Sequence, residues 1–129
     1  MGMHDKEIES VSKLEPFERY KYFIKRVADT EVMYTLVDES GEFVLAELGD
    51  NVLLSLWSAS EFAALCMIDK WSGLTVKEIS LGEFDEEIID EAVEGNWLLN
   101  IFSVGVKSGF VVNLDEFTRD LSEELKRYS

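Results

Sequence analysis

The side chains able to do covalent chemistry are few: Cys66 is the only thiol and His4 the only histidine in a chain of 129 residues. A thiol or serine nucleophile needs a base beside it, most often a histidine. Cys66 falls on the apolar stripe of a helix expected after Trp57. Desolvation there keeps a thiol protonated and inert, so it reads as a small buried hydrophobe. His4 belongs to a polar leader without periodicity. The stretch Gly105-Val106-Lys107-Ser108-Gly109 superficially resembles GxSxG, but its serine immediately precedes the last glycine, so the spacing is wrong. Neither GxxxxGK[ST] nor GxGxxG occurs, and no phosphate cradle is expected. Asp38-Glu39-Ser40-Gly41-Glu42 is oxygen-rich but lacks the alternate-residue ligands of a calcium loop, and reads as a hairpin turn. One cysteine excludes an internal disulfide and cannot begin a zinc site. The expectation is no catalytic residue, no metal and no cofactor, and a protein that is not an enzyme.

Carboxylates are the one abundant reactive type. On a helix over Leu81–Glu94, steps of about 100° per residue place Phe84, Leu81, Ile88, Ala92, Ile89 and Val93 on one half of the wheel. Glu83, Glu86, Glu87, Asp90, Glu91 and Glu94 fall together on the opposite arc, and Asp85 alone lands among the apolar residues. Paired general acid–base catalysis needs two carboxylates in different environments with separated pKa values. A uniformly wet face gives all six the same environment, which points to solvation or to docking of a basic protein partner. The rival reading is a small enzyme or ligand-binding protein, with a pocket between sheet and helix and Glu31 or Glu47 as acid or base. Homodimerisation through an exposed sheet edge is compatible with either.

The charge is unevenly spread. The formal net charge is −15, and residues 27–106 hold 17 Asp/Glu against only Lys70 and Lys77. Such a surface repels nucleic acid and anionic lipid and attracts a basic partner by long-range steering. No apolar run approaches the roughly 20 residues of a membrane span, and no secretory leader is recognisable, so the expected location is cytoplasmic. The aromatics Tyr20, Tyr34, Trp57, Trp71 and Trp97 lie at element ends or on apolar stripes and suit core packing. Tyr22 stands off its helix's stripe, beside basic residues.

The elements that must position these groups follow from periodicity and caps. Residues 1–14 read as a flexible leader and 15–129 as a single domain. Pro16 suits the first position of a helix whose buried stripe is Phe17, Tyr20, Phe23, Ile24 and Val27, with Arg19, Lys21, Lys25 and Arg26 on the other side. Val32–Val37, Phe43–Leu48 and Val52–Trp57 read as three successive strands in an antiparallel meander. Ser58 with Glu61 forms a capping box for the central helix, which Trp71-Ser72-Gly73 closes. Leu74–Ile79 is a short strand, and Ser80 with Glu83 caps the acidic helix, ending at Gly95 as its C′ glycine. Trp97–Val104 and Phe110–Asn113 are strands, and Asn113 caps a last helix buried through Leu114, Phe117, Leu121 and Leu125. The order α-β-β-β-α-β-α-β-β-α implies an α+β fold with a mixed, largely antiparallel sheet covered by helices.

Three segments carry a resemblance. Glu18–Glu31 (ERYKYFIKRVADTE), Leu53–Cys66 (LLSLWSASEFAALC) and Lys77–Phe84 (KEISLGEF) resemble, in order, the bacterial family catalogued as domain of unknown function 2750. The family pattern favours proline near the strand-end tryptophan, where this chain has Ser55 and Ser58 on either side of Leu56-Trp57. That family has no assigned activity, so the resemblance implies no catalytic residues. Val111-Val112-Asn113 before the last helix is similar, at fold level, to the N-terminal domain of the enhanced-serine-sensitivity (SseB-like) proteins. This likeness suggests an interaction or regulatory module.

Overall fold

The computed structural model describes residues 5–67, 71–104 and 109–127. Its elements run α1 (Asp5–Ser12), α2 (Pro16–Thr30), β1 (Val32–Val37), β2 (Leu45–Leu48), β3 (Asn51–Leu56), α3 (Ser60–Ala64) and β4 (Thr75–Ser80). One continuous helix, α4, follows, α-helical over Leu81–Glu83 and Ile89–Gly95 and π-helical over Phe84–Ile88. Then come β5 (Trp97–Ile101), β6 (Phe110–Val112) and α5 (Leu114–Lys126). The class is α+β, as expected, with two mostly antiparallel sheets in place of one.

β1 and β4 pair antiparallel along their whole length, from Val32 opposite Ser80 to Val37 opposite Thr75. The second sheet has the order β2-β3-β5-β6. Gly49, at φ 62°, turns the β2–β3 hairpin, a conformation glycine adopts without a Cβ penalty. β3 and β5 are parallel, with Val52 opposite Trp97 and Leu56 opposite Ile101, and the chain between them supplies α3, β4 and α4. The expected meander is therefore corrected. β1 meets Phe43 and Trp57 only through the isolated bridges Val37–Phe43 and Tyr34–Trp57, and its ladder partner is β4, beyond α3. Six residues of β4 pair along one edge of β1, whereas the turn after Val37 returns only Phe43 and Val44 to its other edge before β2 pairs with β3.

One buried cluster joins both sheets to the helices: Phe23 and Val27 of α2, Phe62 of α3, Ile88 of α4 and Phe117 of α5 all belong to it. Phe117 contacts Phe84 and Phe23, with ring centroids 5.5 and 6.0 Å apart. At the C-terminal ends of the parallel strands the core turns polar. Phe102 takes a left-handed conformation, φ 68°, which costs a non-glycine residue about 1–2 kcal/mol. Its N–H donates to Leu56 O (2.9 Å) and its carbonyl accepts from Arg19 Nε (3.0 Å). Arg19 Nη1 donates to Leu14 O at 2.6 Å. Next along, Ser103 O accepts from Trp57 Nε1 (2.8 Å) and from the Cys66 thiol (3.4 Å). Asn100 Nδ2 reaches Ser103 Oγ (2.8 Å) and Ser55 Oγ (3.3 Å).

Several local expectations change for identifiable reasons. Arg19, assigned to the outer basic face, is 2% exposed. It stands four residues before Phe23 and so borders the buried stripe. The strand expected to reach Val104 ends at Ile101 because Phe102 leaves the extended region. Ser58 caps nothing: Ala59, still extended, precedes α3, and the buried Ser58 Oγ has no hydrogen-bond partner. Trp57, held by β1 and by Ser103 O, keeps the chain extended past the point where the capping box would close. The central helix is short, and Cys66 follows it rather than lying within it. Of the leader, residues 5–12 are helical, Val11 is buried, and Glu7 Oε2 accepts from Tyr22 OH at 2.7 Å. Ile8 and Val11 are too few to register as a periodic stripe. His4 lies outside the described residues, as does Val106-Lys107-Ser108. At the end of α4 the left-handed residue is Asn96, φ 56°. Gly95 answers a different need, since the Trp97 indole occupies the space its Cβ would take.

Arg19→Ala removes a charged donor from the buried Phe102 carbonyl, which costs about 1–3 kcal/mol when left unpaired in the interior, and a second from the part-buried Leu14 carbonyl, and leaves a gap where the guanidinium packed. Urea denaturation should show a loss of roughly 3 kcal/mol or more, and Arg19→Lys, with its different donor geometry, should recover only part of it. Glu31 closes α2 in the left-handed region at φ 62° and is exposed. Glu31→Gly is expected to raise stability by up to about 1 kcal/mol in the same measurement.

Candidate functional site

The helix α4 carries the acidic face. Ser80 Oγ accepts from the Glu83 N–H at 3.1 Å, so the expected N-cap forms and the helix springs directly from β4. A spacing of four residues drifts about 40° per step on a regular α-helix. The π-turn, closed by Ile89 N–H on Phe84 O, absorbs that drift and keeps Phe84, Ile88 and Ala92 together in the interior. Val93, expected on the apolar half, is 67% exposed.

Of the six predicted acids, Glu83 is half-buried and paired with Lys77 at 3.3 Å. Glu86, Glu87, Asp90, Glu91 and Glu94 are exposed, and none makes an ion pair among the described residues. Like charges at i+3 and i+4 cost a few tenths of a kcal/mol per pair. Glu94 adds to this in the last turn of α4, where the helix dipole is negative and no basic residue offsets it.

Beside this face lies a depression of about 380 Å³ lined by Gly41, Glu42, Phe43, Leu45, Glu91 and Trp97. A second, of about 300 Å³, is also lined by Trp97 and includes Val93, Asn96 and Leu98. Trp97 thus borders both hollows. The loop bearing Glu42 and Phe43 is held by Asp38, whose Oδ1 accepts from Ser40 N (2.9 Å), Ser40 Oγ (2.6 Å) and Glu42 N (3.1 Å). These bonds, that from the Ser40 hydroxyl foremost, hold the Asp38 carboxyl below the usual carboxylate range. Sequence reading recognised the turn and the tryptophan separately. It missed their meeting, because only the parallel pairing of β3 with β5 brings Trp97 towards the β2 edge.

The remaining candidates are placed as follows. Cys66 is buried, with Ser103 O as a thiol acceptor and Arg19 close enough to interact with it electrostatically. Desolvation draws the Arg19 pKa down, and Glu15 and Cys66 oppose that shift. Tyr22, far from presenting a free ring, stands edge-on to Phe62 and Phe102, and burial followed by the Glu7 hydrogen bond raises its pKa. Tyr20 donates to Asp120 Oδ2 at 2.7 Å, and burial with that bond raises its pKa as well. Glu31 and Glu47 are exposed and line neither hollow beside Trp97. Among the described residues no three His, Cys, Asp or Glu side chains are arranged to hold a metal ion. No described helix is long and apolar enough to cross a membrane.

The geometry therefore defines a two-sheet α+β protein with an unpaired carboxylate face beside an aromatic hollow. The family model for proteins of unknown function, DUF2750, matches residues 20–121, and the chain belongs to that family. No curated protein matches the chain.

Because the Asp38 pKa is lowered in the folded state, its contribution to loop order is complete above the ordinary carboxylate value of about 3.9 and is lost as pH falls through the lower folded value. In an NMR titration, the Ser40 and Glu42 amides should keep their shifts at pH 4.5 and move only in more acid solution. Asp38→Ala should give both amides, at neutral pH, the fast exchange of an open loop.

Proposed function

We propose that this is a small, non-enzymatic binding or regulatory module whose α4 face docks a basic protein partner, in the manner of an immunity protein or antitoxin neutralising its target. One observation carries the reading: five carboxylates project from α4 without a basic neighbour among the described residues, although their mutual repulsion destabilises the helix that bears them. A partner rich in lysine and arginine relieves that repulsion on binding, and the net charge of −15 steers it in from a distance. Cys66, buried behind Trp57 and Ser103 O, is consistent with a module that does no covalent chemistry.

The test is affinity capture with mass spectrometry, run in parallel on the native chain and on a variant with Glu86, Glu87, Asp90 and Glu91 all changed to Lys. The native chain should retain a basic protein whose recovery falls as salt is raised past the Debye regime of physiological buffer. The variant should lose that protein while keeping its own helical circular dichroism. Equal recovery by both chains would remove the reading.

A further inference from the structure

The hollow bounded by Glu42, Phe43, Leu45, Glu91 and Trp97 has a lining of two kinds. Phe43, Leu45 and Trp97 offer apolar surface, two of them with aromatic rings, and Glu42 and Glu91 offer negative charge. Among the described residues, no basic side chain lines it. Its volume of about 380 Å³ lies at the small end of ligand-sized cavities, which run from roughly 300 to 1,000 Å³.

The walls are set before anything binds. Trp97 is anchored by its backbone opposite Val52, and its indole lies against Gly95, where a Cβ would displace it. On the facing side, Asp38 ties down the loop through Ser40 and Glu42. Such prior order lowers the entropy lost on binding. Arginine matches this lining group for group. Its methylene stem covers apolar surface, its flat guanidinium stacks on an aromatic face, and its forked N–H groups meet a carboxylate in two parallel hydrogen bonds. A lysine ammonium brings the charge but neither the plane nor the fork.

We infer that this hollow is the anchor site for a single arginine side chain of a basic partner segment whose other charges run along Glu86, Glu87, Asp90 and Glu94. The inference rests on the docking role of the α4 face, and Glu91 belongs to both surfaces.

The probe is a short, otherwise neutral peptide containing one arginine, titrated into the full ¹⁵N-labelled chain. Its controls carry citrulline, the uncharged isostere, or lysine in place of arginine. The Trp97 indole signal, assigned through Trp97→Phe, should shift saturably with the arginine peptide and stay still with citrulline. The double change Glu42→Gln with Glu91→Gln should weaken binding about tenfold or more, as befits two charge-assisted contacts. Glu123→Gln, which removes one charge elsewhere, should leave it unaltered. Equal response to citrulline, equal affinity for lysine, or shifts indifferent to the double change would each overturn the arginine site. If the site fails in this way while charge reversal of α4 still abolishes partner capture, the docking face stands and the arginine anchor alone is lost.

Discussion

A buried guanidinium holds this fold together. Arg19 reaches from α2 into the region where the two parallel strands end and donates to the carbonyl of Phe102, a bulky residue in a left-handed backbone conformation. Strain of that kind persists only where the surroundings over-determine it. Here Leu56 O takes the Phe102 N–H, Arg19 takes its carbonyl, and Phe62 packs on its ring at 4.5 Å between centroids. The kink turns Ser103 O inwards, where Trp57 and Cys66 use it, and Trp57 in turn bridges the two sheets through Tyr34. Removing the guanidinium therefore disturbs the strand ends, the inter-sheet bridge and the path into α3 together.

The same carbonyl network takes up the one thiol of the chain, Cys66. The Cys66 thiol and the Trp57 indole share one backbone acceptor in a dry interior. The carboxylates of the proposed docking face lie on the opposite kind of surface, wet and single-signed, along α4 and the Asp38–Phe43 loop. Packing at the strand ends and the proposed recognition beside Trp97 draw on separate residues.

Where physics is local, the chain is readable. Pro16 at the start of α2, Ser80 and Asn113 as caps, the presence of each strand if not its limits, and the exposure of five of the six acids of the arc follow from periodicity and cap chemistry, and the structure shows each of them. Where the deciding contact is distant, reading fails. Arg19 looked like one more surface base in a run of them, and only Phe102, 83 residues on, reveals why it is buried. Ser58 with Glu61 had every mark of a capping box, yet the tether on Trp57 overrode it. The pairing of β1 with β4 was invisible because hydrophobic alternation says that a strand exists and nothing about its neighbour. The Trp97 hollow was hidden for the same reason.

The π-turn in α4 has a bearing on how this charged array is aimed. It accommodates more chain per turn than an α-helix, so the direction in which Asp90, Glu91 and Glu94 point, relative to the core grip of Phe84, is governed by a count of residues as well as by their identity. Loss of one residue between Phe84 and Ile88, with a return to regular α-helical winding, would turn the distal carboxylates by only about 30°, because the tighter winding offsets most of the rotation that the lost residue supplied. The π-turn therefore lets the helix carry one residue more than regular winding would while its charged array keeps facing the same side.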